Sequence, residues 1–373
     1  MSVKKSFEEI NEKIKNGTVV VVTAEEIIDI AKEKGIKDAT RYVDVVTTAT
    51  FGPMCSSGAF LNFGHADPPI RMTEILLNNV TAYAGLAAVD AYIGATEPSK
   101  DKGIEYGGAH VICDLIEGKK VHLKAVSSGT DCYPRRKIDT YITIDSINEA
   151  YLFNPRNCYQ NYNAAINTSD RTLYTYMGVL QPNMANINYS TSGELSPLLN
   201  DPYLRTIGIG TKIFLAGAIG YVSWQGTQFT TTAPRGENGI PLSPAATLAV
   251  IGDLKQMNVE YIKPAVFEKY GTSIFVGIGI PIPVLDEDML INLAVENKDI
   301  FTQIIDYSVP RRSKPSLGKV SYAELRSGTV TLDGKSIPTA PLSSLSKARQ
   351  IAAELKKWVQ NNKFTLQDRK SVV

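Results

Sequence analysis

The chain has 373 residues, 43% of them hydrophobic and 21% charged, with 39 Lys and Arg against 38 Asp and Glu and a formal net charge of +1. That profile is a soluble globular one with ample core for one large domain or two ordinary ones, and the balanced charge gives no reason to expect nucleic acid or an anionic membrane as partner. Four cysteines, none in a C-x-x-C pair, lend no support to zinc-ribbon, thioredoxin-like or disulfide-stapled classes.

The charged, amphipathic start MSVKKSFEEINEKIK lacks the apolar core of a signal peptide, so a reducing cytoplasm and free thiols are expected. Ser6-Phe7-Glu8-Glu9 spells a capping box, and Phe7, Ile10 and Ile14 share one helical face until Gly17. Residues 18–23 (TVVVVT) read as a buried strand, and Thr23-Ala24-Glu25-Glu26 opens a second capped helix running to about Gly35. A strand over Tyr42 to Val46 then leads into a loop around Cys55. After Arg71 a helix-like stretch precedes the small-residue segment 82–95, which reads as core. Segments 108–115 and 119–127 flank Ile116-Glu117-Gly118 as a predicted hairpin, with Cys132 a few residues past its second strand. A strand is expected over 138–144 and an asparagine- and tyrosine-rich loop over 153–167.

The most apolar run, 207–222, is too short and glycine-broken for a bilayer span and reads as two buried strands, as does 273–282. Segments 241–257 and 286–307 read mainly as helices. Residues 346–359 form an amphipathic helix with Ala348, Ile351, Ala352, Leu355, Trp358 and Val359 inward. Ser321 to Val330 repeats the capped turn, glycine stop and strand seen at Ser6 to Val19. No linker or low-complexity tract divides the chain, which predicts an α+β fold of mixed sheets with flanking helices as one large domain over 1–373.

The chemistry concentrates in two stretches. In Gly52-Pro53-Met54-Cys55-Ser56-Ser57-Gly58 a cysteine sits among small residues whose backbone N–H groups can approach an anion, and in Ser127-Ser128-Gly129-Thr130-Asp131-Cys132-Tyr133-Pro134-Arg135-Arg136 a second lies just before two arginines. Both settings favour the ionised thiol, and the arginines suit a substrate carboxylate. His65, ten residues after Cys55, could protonate a departing oxygen or be oriented by Asp67, or it orders its loop. Cys113 reads as a small buried hydrophobe, Cys158 is open, and His110 and His122 read as structural. Gly208-Ile209-Gly210 and Gly277-Ile278-Gly279 lack the third glycine of a dinucleotide fingerprint and read as tight packing; Walker A, G-x-S-x-G and H-E-x-x-H patterns are missing.

The motifs ATFGPMCSSGAFLNFGH, GLAAVDAYIGATEP, SSGTDCYPRR, FNPRNCYQNYNAAIN, TIGIGTKIFLAGAIGYVSWQGTQ and GIGIPIPVL resemble the homocysteine biosynthesis (HcyBio) family from Phe7 to about Ala353. The resemblance implies conversion of L-aspartate semialdehyde to homocysteine with reduced sulfur, and it places the two functional cysteines on Cys55 and Cys132, which the fold must then bring together. It also implies a ferredoxin-like NIL-domain protein as electron donor, leaves room for a homo-oligomer, and implies no CBS modules here. Two chemistries follow: a persulfide resolved into a Cys55–Cys132 disulfide, or a [4Fe-4S] cluster with an open iron held by Cys55, Cys132 and Cys158. Asp131, Arg135 and Arg136 are the expected substrate contacts, with Asn157 and Asn161 as further polar candidates. The non-catalytic alternative is a carrier that hands sulfur or a cluster to another protein.

Overall fold

The computed structural model describes residues 3–230 and 232–370. Local signals held where they were local. Ser6 caps the helix Phe7–Lys15 with Glu9 reciprocating, Ser321 and Glu324 do the same for Tyr322–Arg326, and Thr23 and Glu26 exchange the same pair of bonds across the turn that leads into Glu26–Lys34.

The centre is a ten-stranded sheet. Its strands in chain order are β1 (Val21–Thr23), β2 (Val45–Pro53), β3 (Gly58–Asn62), β4 (Asp90–Gly94), β5 (Glu149–Asn157), β6 (Lys212–Leu215), β7 (Ala218–Gln225), β8 (Leu248–Asp253), β9 (Ile262–Phe267) and β10 (Gly271–Pro283). They are ordered β1-β2-β10-β6-β7-β8-β5-β3-β4, with β9 also on β10; only the β1–β2 pair is parallel. Consecutive strands β2 and β3 therefore stand six strand spacings apart, about 29 Å in a flat sheet. The link from Pro53 to Gly58 reaches at most about 18 Å. The sheet must curl on itself, and the backbone bonds show it doing so: Met54 N–H donates to the Ile274 carbonyl of β10, while Ala95 N–H, just past β4, donates to Ser57.

Two further six-stranded sheets flank this one. The first runs Lys137–Ile142, Val121–Val126, Glu74–Leu77, Val80–Ala82, Pro98–Ser99 and Gly103–Gly107; the second runs Ser316–Ser321, Phe301–Asp306, Ala164–Ile166, Ile187–Tyr189, Lys335–Pro341 and Thr329–Leu332. The helix Leu345–Gln360 lies on β2 and β10, burying Ala348, Ile351, Ala352, Leu355 and Val359. It can sit that close because β10 offers glycines: a Cβ on Gly277 would come 2.7 Å from Ile351, and one on Gly279 3.0 Å from Leu355. The fold is mixed α+β, as expected. Among the described residues no helix is long and apolar enough to cross a membrane.

Several elements differ from expectation, each where tertiary context overrides a local pattern. The stretch after Arg71 is not helical but a hairpin, Glu74–Leu77 with Val80–Ala82, turned by Asn78 and Asn79, both at positive φ as a two-residue primed turn requires. Conversely, Gly108–Ile116 is a helix rather than the first arm of a hairpin, and six of its nine residues are buried. Its half-buried residues His110 and Asp114 stand four apart, the helical period that a hairpin reading passes over. The predicted helix over 241–257 contains β8, a buried strand between β7 and β5. Within 286–307 the helix stops at Leu293 and Phe301–Asp306 is a strand, and the 153–167 loop is occupied at its ends by β5 and Ala164–Ile166. Before the Cys55 turn, residues 36–42 are helical and β2 runs on to Pro53.

Candidate active site

At one rim of the curled sheet, the ends of β2, β5 and β7 meet the starts of β3, β8 and β10 around a cavity of about 690 Å³. This lies within the range of small-molecule sites. Cys55 lines it, held in a tight turn closed by Ser57 N–H donating to the Met54 carbonyl at 3.0 Å. Its Sγ lies 3.1 Å from Ser273 Oγ at the start of β10. Burial pushes the Cys55 thiol up from its ordinary pKa; the Ser273 contact and the residue's own backbone N–H only partly offset this. The expectation of an ionised thiol is thus corrected for Cys55. A small-residue turn supplies donors, but desolvation of the anion outweighs them.

The wall opposite is built by the segment after β5. Cys158, at φ +51°, lines the same cavity and is 2% exposed, its thiol pushed up to about 12 by burial. At neutral pH it is a protonated wall group. Tyr159, Tyr162, Tyr176 and Tyr270 add phenols; Tyr162 donates to Tyr176 at 3.3 Å, and Tyr176 lies 3.0 Å from the Tyr307 hydroxyl. Burial raises Tyr159 to about 12 and moves Tyr270 the same way, the negative charge of an ionised Cys55 adding to both. Arg156 also faces the cavity. Its Nε donates to Thr227 at 3.0 Å, and its backbone N–H donates to Asn154, whose amide in turn donates to Ser57 at 2.7 Å. A Cβ on Gly58, next in the chain, would meet the Ile93 carbonyl at 2.7 Å, which fixes the identity of the residue that lets β3 start here.

The other predicted residues lie elsewhere. His65 is exposed beyond the far end of β3, its ring stacked on Tyr133 at 6.4 Å, and among the described residues it has no hydrogen bond to Asp67. Cys132 is exposed on the loop that carries Tyr133, and that loop docks beside His65 through Arg135 N–H to the Pro69 carbonyl. Cys55 precedes β3, which spans about 13 Å, and the Cys132 loop docks past its other end, so the two free thiols lie at different ends of the strand. Asp131 and Arg136 are exposed and Arg135 half-buried; none of the three lines the Cys55 cavity. Asn157 and Asn161 are fully buried and brace the loop rather than face the cavity: Asn157 accepts from Cys158 N–H, and Asn161 donates to the Pro241 and Phe301 carbonyls. Cys113 is buried, as expected, though in a helix, with its thiol pushed up to about 12 by burial. His110 caps that helix, accepting from Gly107 N–H, and His122 bonds Asp139 at 2.6 Å.

A cluster held by Cys55, Cys132 and Cys158 does not fit this arrangement. Cys132 is on another face, and no group of three His, Cys, Asp or Glu side chains among the described residues is placed to hold a metal ion. Sequence reasoning missed Arg156, Tyr270, Tyr176 and Arg312 as cavity residues, and Ser273 as the buried hydroxyl behind Cys55. Only Arg156 was within a stretch that had drawn attention, FNPRNCYQNYNAAIN.

Thiol labelling reads this geometry directly. With iodoacetamide, Cys132 is expected to react first and Cys55 more slowly, with a rate that keeps rising above the ordinary thiol range near about pH 8.5. Cys113 and Cys158 should stay silent until the protein unfolds. Peptide mass analysis across pH checks all four.

Residues 19–366 match the family model described as homocysteine biosynthesis enzyme, sulfur-incorporation. A Methanosarcina acetivorans protein named L-aspartate semialdehyde sulfurtransferase is 54% identical over 97% of this chain and 70% of its own length. A Methanocaldococcus jannaschii protein of the same name is 52% identical over 98% of this chain and 73% of its own. An uncharacterised protein of Methanothermobacter thermautotrophicus is 31% identical over 86% of this chain. No solved structure matches.

Proposed function

The chain belongs to the homocysteine biosynthesis enzyme family, and from that premise we propose that it is a sulfurtransferase that makes homocysteine from L-aspartate semialdehyde in the Cys55 cavity. The observation that carries the assignment to this cavity is Cys55 itself. It is a half-buried cysteine at a strand end, facing a concave space walled by phenols and arginine.

The net reaction joins the aldehyde, hydrogen sulfide, two electrons and two protons to give the thiol and water. Carbon–sulfur bond formation turns the aldehyde oxygen into a hydroxyl, and that oxygen must leave as water before the carbon is reduced. The cavity suits this sequence. With hydrogen sulfide as donor, the Cys55 thiol can add to the aldehyde carbon as a hemithioacetal. Water then leaves as hydrogen sulfide adds, and two electrons with two protons cleave the carbon bond to Cys55, releasing homocysteine and the free thiol. A Cys55 persulfide, by contrast, would need a sulfane-sulfur donor to load it and a further electron pair when its S–S bond breaks. The Ser273 hydroxyl at 3.1 Å orients Sγ. The hydroxyl that departs needs a proton donor, and with His65 on another face the phenols of Tyr159 and Tyr270 are the groups at hand. Their raised pKa values keep them protonated, hence donors, at neutral pH.

Electrons come from outside the chain in this proposal, from a ferredoxin-like protein, and the exposed Cys132 loop is where such a partner can reach a thiol. Cytoplasmic residence suits free thiols and a diffusible aldehyde substrate.

The test is an anaerobic incubation of the purified chain with L-aspartate semialdehyde, sulfide and a low-potential chemical reductant, with homocysteine quantified by mass. Several turnovers per protein, dependent on both sulfide and reductant, are expected. Folded protein that forms no homocysteine would overturn the assignment and leave a sulfur carrier.

A further inference from the structure

The Cys55 cavity is electrostatically one-sided. Two arginines, Arg156 and Arg312, line it, and no Asp or Glu does. Among the described residues neither guanidinium is ion-paired. The two come from distant parts of the chain, one from the end of β5 and the other from the loop after the strand Phe301–Asp306. Arg156 is half-buried and oriented: Thr227 accepts from its Nε, and Asn154 ties its backbone to Ser57, two residues from the reactive thiol. Two uncompensated positive charges in a concave, partly desolvated space lower the energy of an anion there far more than of a neutral molecule of the same shape.

We infer that Arg156 and Arg312 form an anion-binding subsite that seats the carboxylate of the substrate, with the reacting carbon held toward Cys55. This replaces the expected role of Arg135 and Arg136, which lie outside the cavity. The preference for an anion rests on the cavity alone; its identity as the α-carboxylate of an amino-aldehyde rests on the sulfurtransferase proposal. A carboxylate on two guanidinium groups fixes one end of a small, flexible molecule, and the phenol wall then faces its other end. An ester or amide of the same molecule keeps its shape but loses the anchor.

Paired alkylating reagents test this without turnover. Iodoacetate and iodoacetamide attack a thiol by the same displacement, releasing iodide, and differ in that one carries a carboxylate. The ratio of their rates at Cys55, read from the Cys55 peptide, is expected to fall about ten-fold in Arg156→Gln and in Arg312→Gln, and to survive largely in Arg156→Lys. The same ratio at Cys132 serves as the reference within each molecule and should not move. Arg312 is exposed on a loop, so its variant is expected to fold even where Arg156→Gln does not. A ratio at Cys55 unchanged in Arg312→Gln and in any folded Arg156→Gln overturns the subsite. With L-aspartate semialdehyde, KM should rise about ten-fold in the same variants, with kcat changing less. A fall in the alkylation ratio without any homocysteine from wild type would keep the anion subsite and reject the substrate.

Discussion

Cys55→Ser is expected to abolish homocysteine formation, by on the order of 10³-fold or more, while leaving the thermal transition within a few degrees of wild type. The asymmetry follows from where the side chain sits. Its backbone is fixed by the 54–57 turn, by Met54 N–H on the β10 carbonyl and by the Ala95 contact to Ser57, none of which involves sulfur. An oxygen in place of sulfur still meets Ser273 Oγ, so packing is preserved. Chemistry is not: a serine hydroxyl neither holds sulfane sulfur nor adds to the aldehyde carbon as a thiol does, and its weak acidity denies it a nucleophilic anion in a site that already disfavours ionisation. The comparison is made in the anaerobic assay with sulfide and a chemical reductant. Turnover within ten-fold of wild type would move the reaction away from this cavity and from Cys55.

What could be read before the fold was known depended on how far each signal reaches. Ser6 with Glu9, Thr23 with Glu26 and Ser321 with Glu324 are three-residue devices, so their helices were legible. The Leu345–Gln360 helix was legible through its period, down to its inward residues. β8 was not, because it is buried on most sides and an apolar run without period fits a helix or a strand equally; Gly108–Ile116 was misread although His110 and Asp114, four apart, mark its helical period. The two glycines of Gly277-Ile278-Gly279 were rightly taken as packing, yet the partner that needs them, Ile351 with Leu355, lies some seventy residues on. The site divides in the same way. Cys55 announced itself through a run of small residues. Ser273, Tyr270, Tyr176 and Arg312 reach it only because the sheet curls until β10 borders the Cys55 turn, and no spacing in the chain encodes that. The same curling places His65 and the Cys132 loop beyond the opposite end of β3, whereas the family resemblance had implied that Cys132 joins Cys55.

That separation sets the expected behaviour of Cys132→Ser. With a chemical reductant and sulfide in a single-turnover experiment, this variant should form homocysteine at close to the wild-type amplitude, because no part of the cavity has been altered. When electrons are supplied by a ferredoxin-like protein, turnover should fall on the order of 100-fold or more if the exposed thiol is where that protein exchanges electrons with this chain. Within one molecule in this conformation, a Cys55–Cys132 disulfide would require the 127–136 loop to leave His65 and Pro69 and travel past the length of β3, breaking the Tyr133 stack and the Arg135 N–H bond to Pro69. A Cys132→Ser variant already inactive in the single turnover would mean that the two thiols do meet during the reaction, by that loop movement or by contribution of Cys132 from a second copy. Mixing Cys55→Ser with Cys132→Ser separates the two routes: recovered activity in the mixture requires two copies, and its continued absence places the movement within one.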